Sequence, residues 1–230
     1  MRILVLSDIH ANHVALKAVM EKEKEHDLLF FLGDIVDYGT QPGPCLDFIR
    51  RNADLAIRGN HDQALGFDAD CGCRGDFRAM SLATRAWHKT LLSDRDRAYL
   101  RSLPVEARMV VNGRRFYLTH AAPGAINRYL DREDMIEAVA GIDADVVLVG
   151  HTHIQWAEKV NGRWIVNPGS VGLARDRGGK ACYAVWEDGV GFLHCLHYPV
   201  VQSIAEFKES PLDAEVQRAL IQVLTKQPAS

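Results

Sequence analysis

Arg2–Leu6 is a short apolar run with no alternation, the pattern of a parallel strand buried on both faces. The chain then turns polar at Ser7-Asp8. Asn12 has the side chain of a helix N-cap, and Val14, Ala15, Ala18 and Val19 follow at helical spacing. A helix is therefore expected from Asn12 to about Glu25, with the charged run Glu21–Glu25 facing water. Leu28–Leu32 repeats the buried-strand pattern, and Gly33 permits a sharp turn after it. A Pro/Gly-rich loop (Gly39–Pro44) leads to a helix near Cys45–Arg51, and Leu55–Ile57 reads as a third strand. Strands alternating with helices predict βαβ units and a largely parallel sheet.

The second half has a different texture. Apolar runs meet at Asn112-Gly113 and again at Asn161-Gly162, each a type I′ hairpin signal. A third pair, Ala181–Trp186 and Val190–Tyr198, joins across Glu187-Asp188-Gly189, and Asp145–Val149 is one more buried strand. Residues 63–103 interrupt the alternation with helical, arginine-rich sequence and read as a cap inserted into a single domain spanning 1–230. Ser210–Ser230 reads as a surface helix with a frayed tail. The class is α/β.

Composition narrows the field. The 230 residues carry 27 Lys+Arg against 30 Asp+Glu, a formal charge of −3, with 47% hydrophobic residues. That balance belongs to a globular domain with a sizeable core and argues against wrapping nucleic acid through bulk charge. The apolar run at the N-terminus is too short for a signal peptide or a membrane span, so a cytoplasmic location is expected. On that footing the five cysteines (Cys45, Cys71, Cys73, Cys182, Cys195) read as reduced thiols, and Cys71/Cys73 is too small a pair for a zinc ribbon.

The 10 histidines are not scattered. Asp8 and His10 follow the first strand, Asp34 and Asp37 the second, and Asn60, His61 and Asp62 the third. His120 follows Phe116–Thr119, and His151 and His153 follow Asp145–Val149. Ligand sites of open α/β sheets lie at the carboxyl ends of strands, so five loops deliver carboxylates, an amide oxygen and imidazoles to one edge. A lone Asp after a strand is usually a turn or cap residue, and a lone His usually a satisfied one. His13, His26, His88, His194 and His197 keep that plain reading. Recurrence at five strand ends does not.

Asp8-Ile9-His10, Gly33-Asp34-Ile35-Val36-Asp37, Gly59-Asn60-His61-Asp62, Thr119-His120 and Gly150-His151-Thr152-His153 together resemble the calcineurin-like metallophosphoesterases, over Arg2 to about Gly172. Ser7–Asn12 and Asn167–Gly172 are similar to the small bacterial and archaeal phosphodiesterase-like branch. The resemblance implies a four-layer α/β/β/α sandwich of two mixed sheets. It also implies two divalent ions: Asp8, His10 and His153 on the first, Asn60, His120 and His151 on the second, Asp34 bridging. Carboxylate, amide and imidazole donors without thiolate suit Mn²⁺ first, with Fe, Zn²⁺ or Ni²⁺ as alternatives. Such a pair would activate a bridging hydroxide for in-line attack on a phosphoester.

In that scheme His61 is the general acid for the leaving alkoxide, and Asp37 and Asp62 orient imidazoles. Arg58, Asn12, Tyr38 and Arg175 are candidate substrate contacts, and cap arginines Arg74, Arg78 and Arg85 read as a solvated face or a polyanion contact. Where the protein-phosphatase branch has Asp-Arg-Gly, this chain has Asp37-Tyr38-Gly39, which argues against a phosphoprotein substrate. The expected partner is a small phosphoester, with nucleotides and dinucleoside polyphosphates foremost and a homo-oligomer compatible. The alternatives are a phosphomonoesterase and a catalytically weak metal-binding scaffold of the same fold.

Overall fold

The computed structural model describes residues 1–226. In chain order the elements are β1 (Arg2–Leu6), α1 (His13–Lys22), β2 (Leu28–Phe31), α2 (Pro42–Asn52), β3 (Leu55–Ala56), α3 (Asn60–Phe67), α4 (Gly75–Leu91) and α5 (Asp94–Ser102). Then follow β4 (Glu106–Val111), β5 (Arg114–Thr119), α6 (Arg132–Ala138), β6 (Val146–Val149), β7 (Trp156–Val160), β8 (Arg163–Asn167), β9 (Lys180–Glu187), β10 (Val190–His197), α7 (Val200–Glu209) and α8 (Ala214–Thr225).

Two five-stranded mixed sheets result, ordered β10-β9-β1-β2-β3 and β4-β5-β6-β8-β7. The alternate residues of β1 explain the layers. Ile3 and Val5 pack with Phe30, Phe116, Leu118 and Leu148 between the sheets. Leu4 and Leu6 point the other way, onto α1, α2, α7 and α8. On the far face of the second sheet, Val147 and Ile165 pack on Met135 and Val139 around α6. This is the expected α/β/β/α sandwich, and strands buried on both faces need no polar alternation.

The three hairpin turns have both central residues in the left-handed region: Asn112 and Gly113, Asn161 and Gly162, Asp188 and Gly189. The third hairpin does not stay with the others. β9 pairs antiparallel to β1, with Val5 opposite Ala184, and so completes the first sheet.

Several expectations need correction. Helix α1 ends at Lys22, and Glu23 of the charged run turns inward, where it accepts from Tyr183 Oη (2.6 Å) and pairs with Arg2 (2.7 Å). Helix α2 starts at Pro42, a residue whose fixed φ and missing N–H suit the first turn. Cys182 and Cys195 are opposed across β9 and β10 and form a disulfide, so only Cys45, Cys71 and Cys73 are free thiols. Helix α8 is more than a surface helix, because Leu220 and Leu224 are buried in the main core; the frayed tail expected at 227–230 lies outside the described residues. Met80, Leu92, Leu100 and Leu103 join the same core, which ties residues 63–103 to the sandwich. Among the described residues no helix is long and apolar enough to cross a membrane.

Candidate metal centre

The carboxyl ends of β1, β2, β3, β5 and β6 converge, because parallel strands in both sheets run toward the same edge. Their loops are unusually tight. Asp8, His10, Asp34, Asp37, His151 and His153 all have positive φ, between 47° and 67°. Left-handed backbone at non-glycine residues costs of order 1–3 kcal/mol each and survives only where the surroundings enforce it. Here the enforcement is visible. Asp8 N–H donates to Gly33 O, His10 N–H to Asp34 O and Ala11 N–H to Ile35 O, at 2.9, 3.0 and 2.7 Å. The Asn167–Gly172 turn closes from the other side: Ser170 Oγ and Gly172 N–H both donate to Asp8 O, and Asn167 Nδ2 donates to Gly150 O. That turn braces the loops and, among the described residues, is not part of the lining of the cleft beside the cluster.

Close approach needs glycine at particular points. A Cβ on Gly59 would overlap the Asp34 carboxylate and backbone nitrogen, and one on Gly150 would overlap Ser7 Oγ. Gly59 lets the third strand's loop close on the second's, and Gly150 lets the sixth strand's loop close on the first's.

The convergence brings all seven expected ligands together. His153 Nε2 lies 3.2 Å from Asp8 Oδ1, with His10 Nε2 at 3.8 Å from the same oxygen. Asp34 Oδ2 faces His120 Nε2 at 3.2 Å and His10 Nε2 at 3.7 Å. Asn60 Oδ1 faces His120 Nε2 at 3.0 Å and His151 Nδ1 at 3.1 Å. The remaining ring nitrogens are pinned by backbone carbonyls: His10 Nδ1 on Val36 O, His120 Nδ1 on Leu32 O and His153 Nδ1 on Leu173 O. In the neutral ring each pinned nitrogen carries the proton, and Nε2 then presents its lone pair inward.

Asp8 Oδ1 and Asp34 Oδ2 are buried and have no hydrogen-bond partner. Two orphaned carboxylate oxygens in the interior, ringed by imidazole lone pairs, make an anionic cluster short of positive charge. Titration follows the same logic. Burial would raise the Asp34 carboxyl, but His120, His61 and His10 hold it well below the usual carboxylate range. Burial is overcome at His120 as well, where Asp34 pushes the ring up to about 9. Burial and a neighbouring imidazole drive His10 and His151 down to about 3. Donor separations near 3–4 Å match the coordination shell of a divalent ion with ligands about 2.0–2.2 Å away. The residues fit a metal.

The other expected residues divide. His61 faces the cleft, and its Nδ1–H donates to Asp37 Oδ2 at 2.7 Å. Burial opposes protonation of this ring, yet Asp34 and Asp37 outweigh it and hold the imidazole above its ordinary value. Asp62 orients no imidazole, contrary to expectation. It accepts the backbone N–H groups of Asp34 (2.8 Å), Ile35 (2.8 Å) and Gly59 (3.1 Å), and so clamps the Asp34 loop to the start of α3. Burial and the nearby Asp34 charge push its carboxyl up to about 7.

Asn12 is also structural, with Oδ1 capping α1 through Ala15 N–H and Nδ2 donating to Gly172 O. Arg58 is tied to Arg101 O at 2.8 Å and stacks over Phe67, away from the cleft. Tyr38 is buried beneath it, edge-on to His10. Only Arg175 of the four substrate candidates lines the cleft, a cavity of about 520 Å³ that also includes Arg74, Arg128, Asn127 and Tyr129.

Ser81, Thr84, Arg85 and His88 on α4 were not expected at the site. Arg85 is 5% exposed and pairs with Asp37, through Nε at 3.0 Å, while Ser81 Oγ donates to the same carboxylate at 2.9 Å. His88 accepts from Asp37 N–H and donates to Gly39 O, a satisfied buried histidine as its plain reading held. Neither a solvated face nor a polyanion contact describes Arg85; Arg78 alone pairs on the surface, with Asp70. A signal did exist: 81, 84, 85 and 88 form a polar stripe at i, i+3, i+4, i+7, which places them on one helix face.

Comparison with known proteins agrees with this geometry. Residues 1–188 match the calcineurin-like phosphoesterase superfamily domain. An uncharacterized protein of Methanocaldococcus jannaschii is 31% identical over 205 residues, covering 81% of this chain and 82% of its own. A crystal structure of a metallophosphoesterase from Sphaerobacter thermophilus superposes with a TM-score of 0.77 at 28% identity, covering 96% of this chain and 98% of that one. A hypothetical protein from Pyrococcus horikoshii shares the fold, with a TM-score of 0.81 at 20% identity and 97% coverage of each chain. A buried carboxylate–imidazole cluster that fits metal, at the strand ends of this sandwich, is what the family match over 1–188 leads one to look for: the chain belongs to the calcineurin-like phosphoesterase superfamily and is a metal-dependent phosphoric ester hydrolase.

Proposed function

We propose that the protein hydrolyses a phosphodiester or a nucleotide-type phosphoester with two divalent ions bound, Mn²⁺ foremost. The observation that carries this reading is the pair of orphaned oxygens, Asp34 Oδ2 on a residue that lines a cleft rimmed by arginines and Asp8 Oδ1 buried behind it, both facing His10 Nε2. Asp8, His10 and His153 would hold one ion, Asn60, His120 and His151 the other, and Asp34 would span both. When bound, such ions supply the Lewis acidity that activates water and neutralises phosphoryl oxygens. The chain's own residues do the rest. His61 donates its Nε2 proton to the leaving alkoxide, and Asp37 holds the ring in the donating orientation through Nδ1. Arg85 and Ser81 hold Asp37 in turn. Arg74, Arg128 and Arg175 attract the anionic substrate, and Tyr129 offers a face for its organic arm. Residues 63–103 belong to one domain with the rest of 1–230 and form a wall of the cleft.

The three cleft arginines suit the charges of a nucleotide or dinucleoside polyphosphate and Tyr129 suits a second organic arm, as in any diester; a monoester dianion, which uses the arginines but not the arm, is the second reading. Side-by-side kinetics decide between them. With Mn²⁺ supplied, bis-nitrophenyl phosphate and dinucleoside polyphosphates should show higher kcat/KM than mono-nitrophenyl phosphate and mononucleotides. A monoester preference in both comparisons selects the second reading. No turnover of any phosphoester, with metals bound, selects a scaffold.

A further inference from the structure

The dinuclear cluster accounts for every donor on the floor of the cleft but not for two free thiols in its wall. Cys71 and Cys73 stand two residues apart, a spacing that in extended chain already puts both side chains on one face. Gly72 between them has φ +79°, and its turn keeps both thiols on the same side, over His61. The donor atoms of His61, Cys71 and Cys73 all lie within 4.8 Å of one another.

We infer that His61, Cys71 and Cys73 form a separate thiolate-containing metal site, selective for Zn²⁺ over Mn²⁺, whose occupation withdraws His61 from proton donation. The consequence for turnover rests on the reading of His61 as the proton donor; the site itself does not.

The geometry is that of a tetrahedral corner. With Zn–S about 2.3 Å and Zn–N about 2.0–2.1 Å, a tetrahedral edge between sulfur and nitrogen is about 3.6 Å. Cys73 Sγ lies 3.4 Å from His61 Nε2. Asp37 accepts from Nδ1–H at 2.7 Å, so that Nε2, once its own proton has left, presents the lone pair, and Asp37 is the outer carboxylate that metal-bound imidazoles use. The bend carrying the thiols is anchored without them: Asn60 Nδ2 donates to Cys71 O at 2.8 Å, and Gly72 N–H donates to Asp70 Oδ1 at 2.8 Å. Three protein donors leave a fourth position open toward the cleft, where water completes the shell.

Charge and softness select the ion. Two thiolates neutralise one Zn²⁺; their two protons, and the Nε2 proton wherever the His61 ring is charged, leave to solvent on binding. Thiolate donors discriminate against Mn²⁺, whereas the thiolate-free cluster below accepts it. The two sites therefore separate by chemistry, and Zn²⁺ in excess of the catalytic metal would act as an inhibitor. His61 cannot both ligate through Nε2 and donate a proton from it.

Cobalt reports on this directly, because a thiolate-to-Co²⁺ charge-transfer band in the near ultraviolet requires sulfur in the coordination shell. Titration of the full chain with Co²⁺ under a phosphine reductant should produce the band in the wild type and in Asp34→Asn. Cys71→Ser and Cys73→Ser should each lose it, with Cys73→Ala as a second variant at this half-exposed position. No band in the wild type, or a band that survives Cys73→Ser and Cys73→Ala, overturns the site. For the inhibitory role, Zn²⁺ is added to Mn²⁺-loaded protein turning over an alkyl or nucleoside phosphoester. Half-inhibition should need more than about 10-fold more Zn²⁺ in Cys73→Ser, since a lost ligand costs more than a lost outer partner. Equal inhibition of both proteins overturns that role. A protein that gives the cobalt band but turns over no phosphoester refutes the proposed activity and supports the site.

Discussion

Asp34 and Asp62 are carboxylates 28 residues apart on neighbouring loops, both fully buried, and the fold gives them opposite work. Asp62 spends its oxygens on backbone N–H groups, whereas Asp34 Oδ2 has no partner at all. Asn tolerates the left-handed backbone that Asp34 adopts, so Asp34→Asn changes charge with little change of shape. It should abolish turnover and lower bound metal below that of Asp8→Asn or His120→Ala, because in the proposed two-ion arrangement a spanning ligand would serve both ions. Elemental analysis of the purified variants checks this, and two full equivalents retained in Asp34→Asn would sink the spanning role. His61 should behave differently. His61→Ala should keep its metals yet lose about 10²–10⁴-fold in rate on an alkyl or nucleoside ester. The loss on a nitrophenyl ester should be much smaller, since that phenolate leaves unaided; equal losses would assign His61 another task. Arg85 belongs to the same chain of contacts. Removing it leaves the Asp37 carboxylate buried without its cation, so Arg85→Ala should destabilise by about 3–5 kcal/mol in denaturant unfolding. In Arg85→Ala/Asp37→Asn the two costs should be less than additive; simple additivity would mean that the pair is not coupled.

At the scale of elements, the site depends on loops that cross within van der Waals contact. Gly59 opens α3 and backs directly onto Asp34, whereas Gly43 in the first turn of α2 has nothing within 4 Å of a would-be Cβ. Gly59→Ala must push the Asp34 loop away from the cluster, and it should lose metal and activity together. Gly43→Ala should leave both intact and stabilise by about 0.4–1 kcal/mol through the unfolded chain. Metal content and thermal unfolding of the two variants side by side test the contrast. Normal metal binding in Gly59→Ala would show that the loops have more room than the packing allows.

At the scale of the whole molecule, the last helix fastens the loop 175–179 beside the cleft to the main core. Helix α8 buries Leu220 and Leu224 in the core shared with α4, and the carbonyls of Leu224 and Lys226 accept from Gly179 and Gly178 N–H. That loop also carries Arg175, whose guanidinium stacks over Phe77 at the cleft wall. Leu220→Ala should therefore cost about 2–5 kcal/mol in stability, the usual range for a fully buried leucine. A cost under 1 kcal/mol would mean that α8 is a peripheral attachment after all. Turnover of the folded fraction should stay close to wild type, because no donor to the cluster changes.

Much of this was legible along the chain because it is periodic or local. Unalternating apolar runs marked the strands buried on both faces, Asn-Gly and Asp-Gly marked the turns, and Asp, His and Asn at five strand ends marked the cluster. Each of those signals is set by a residue and its near neighbours. What needed tertiary structure were pairings between distant segments. β9 and β10 leave the hairpin half to complete the first sheet, and in doing so they oppose Cys182 and Cys195. Asp62 looks like an orienting carboxylate by position, yet spends its oxygens on the backbone of the loop 28 residues away. Arg85 looks like a solvated charge until α4 docks its polar stripe against Asp37. A side chain's type and spacing fix what it can do, but the free energy of a buried charge depends on which partner the fold places beside it, and that partner comes from anywhere in the chain.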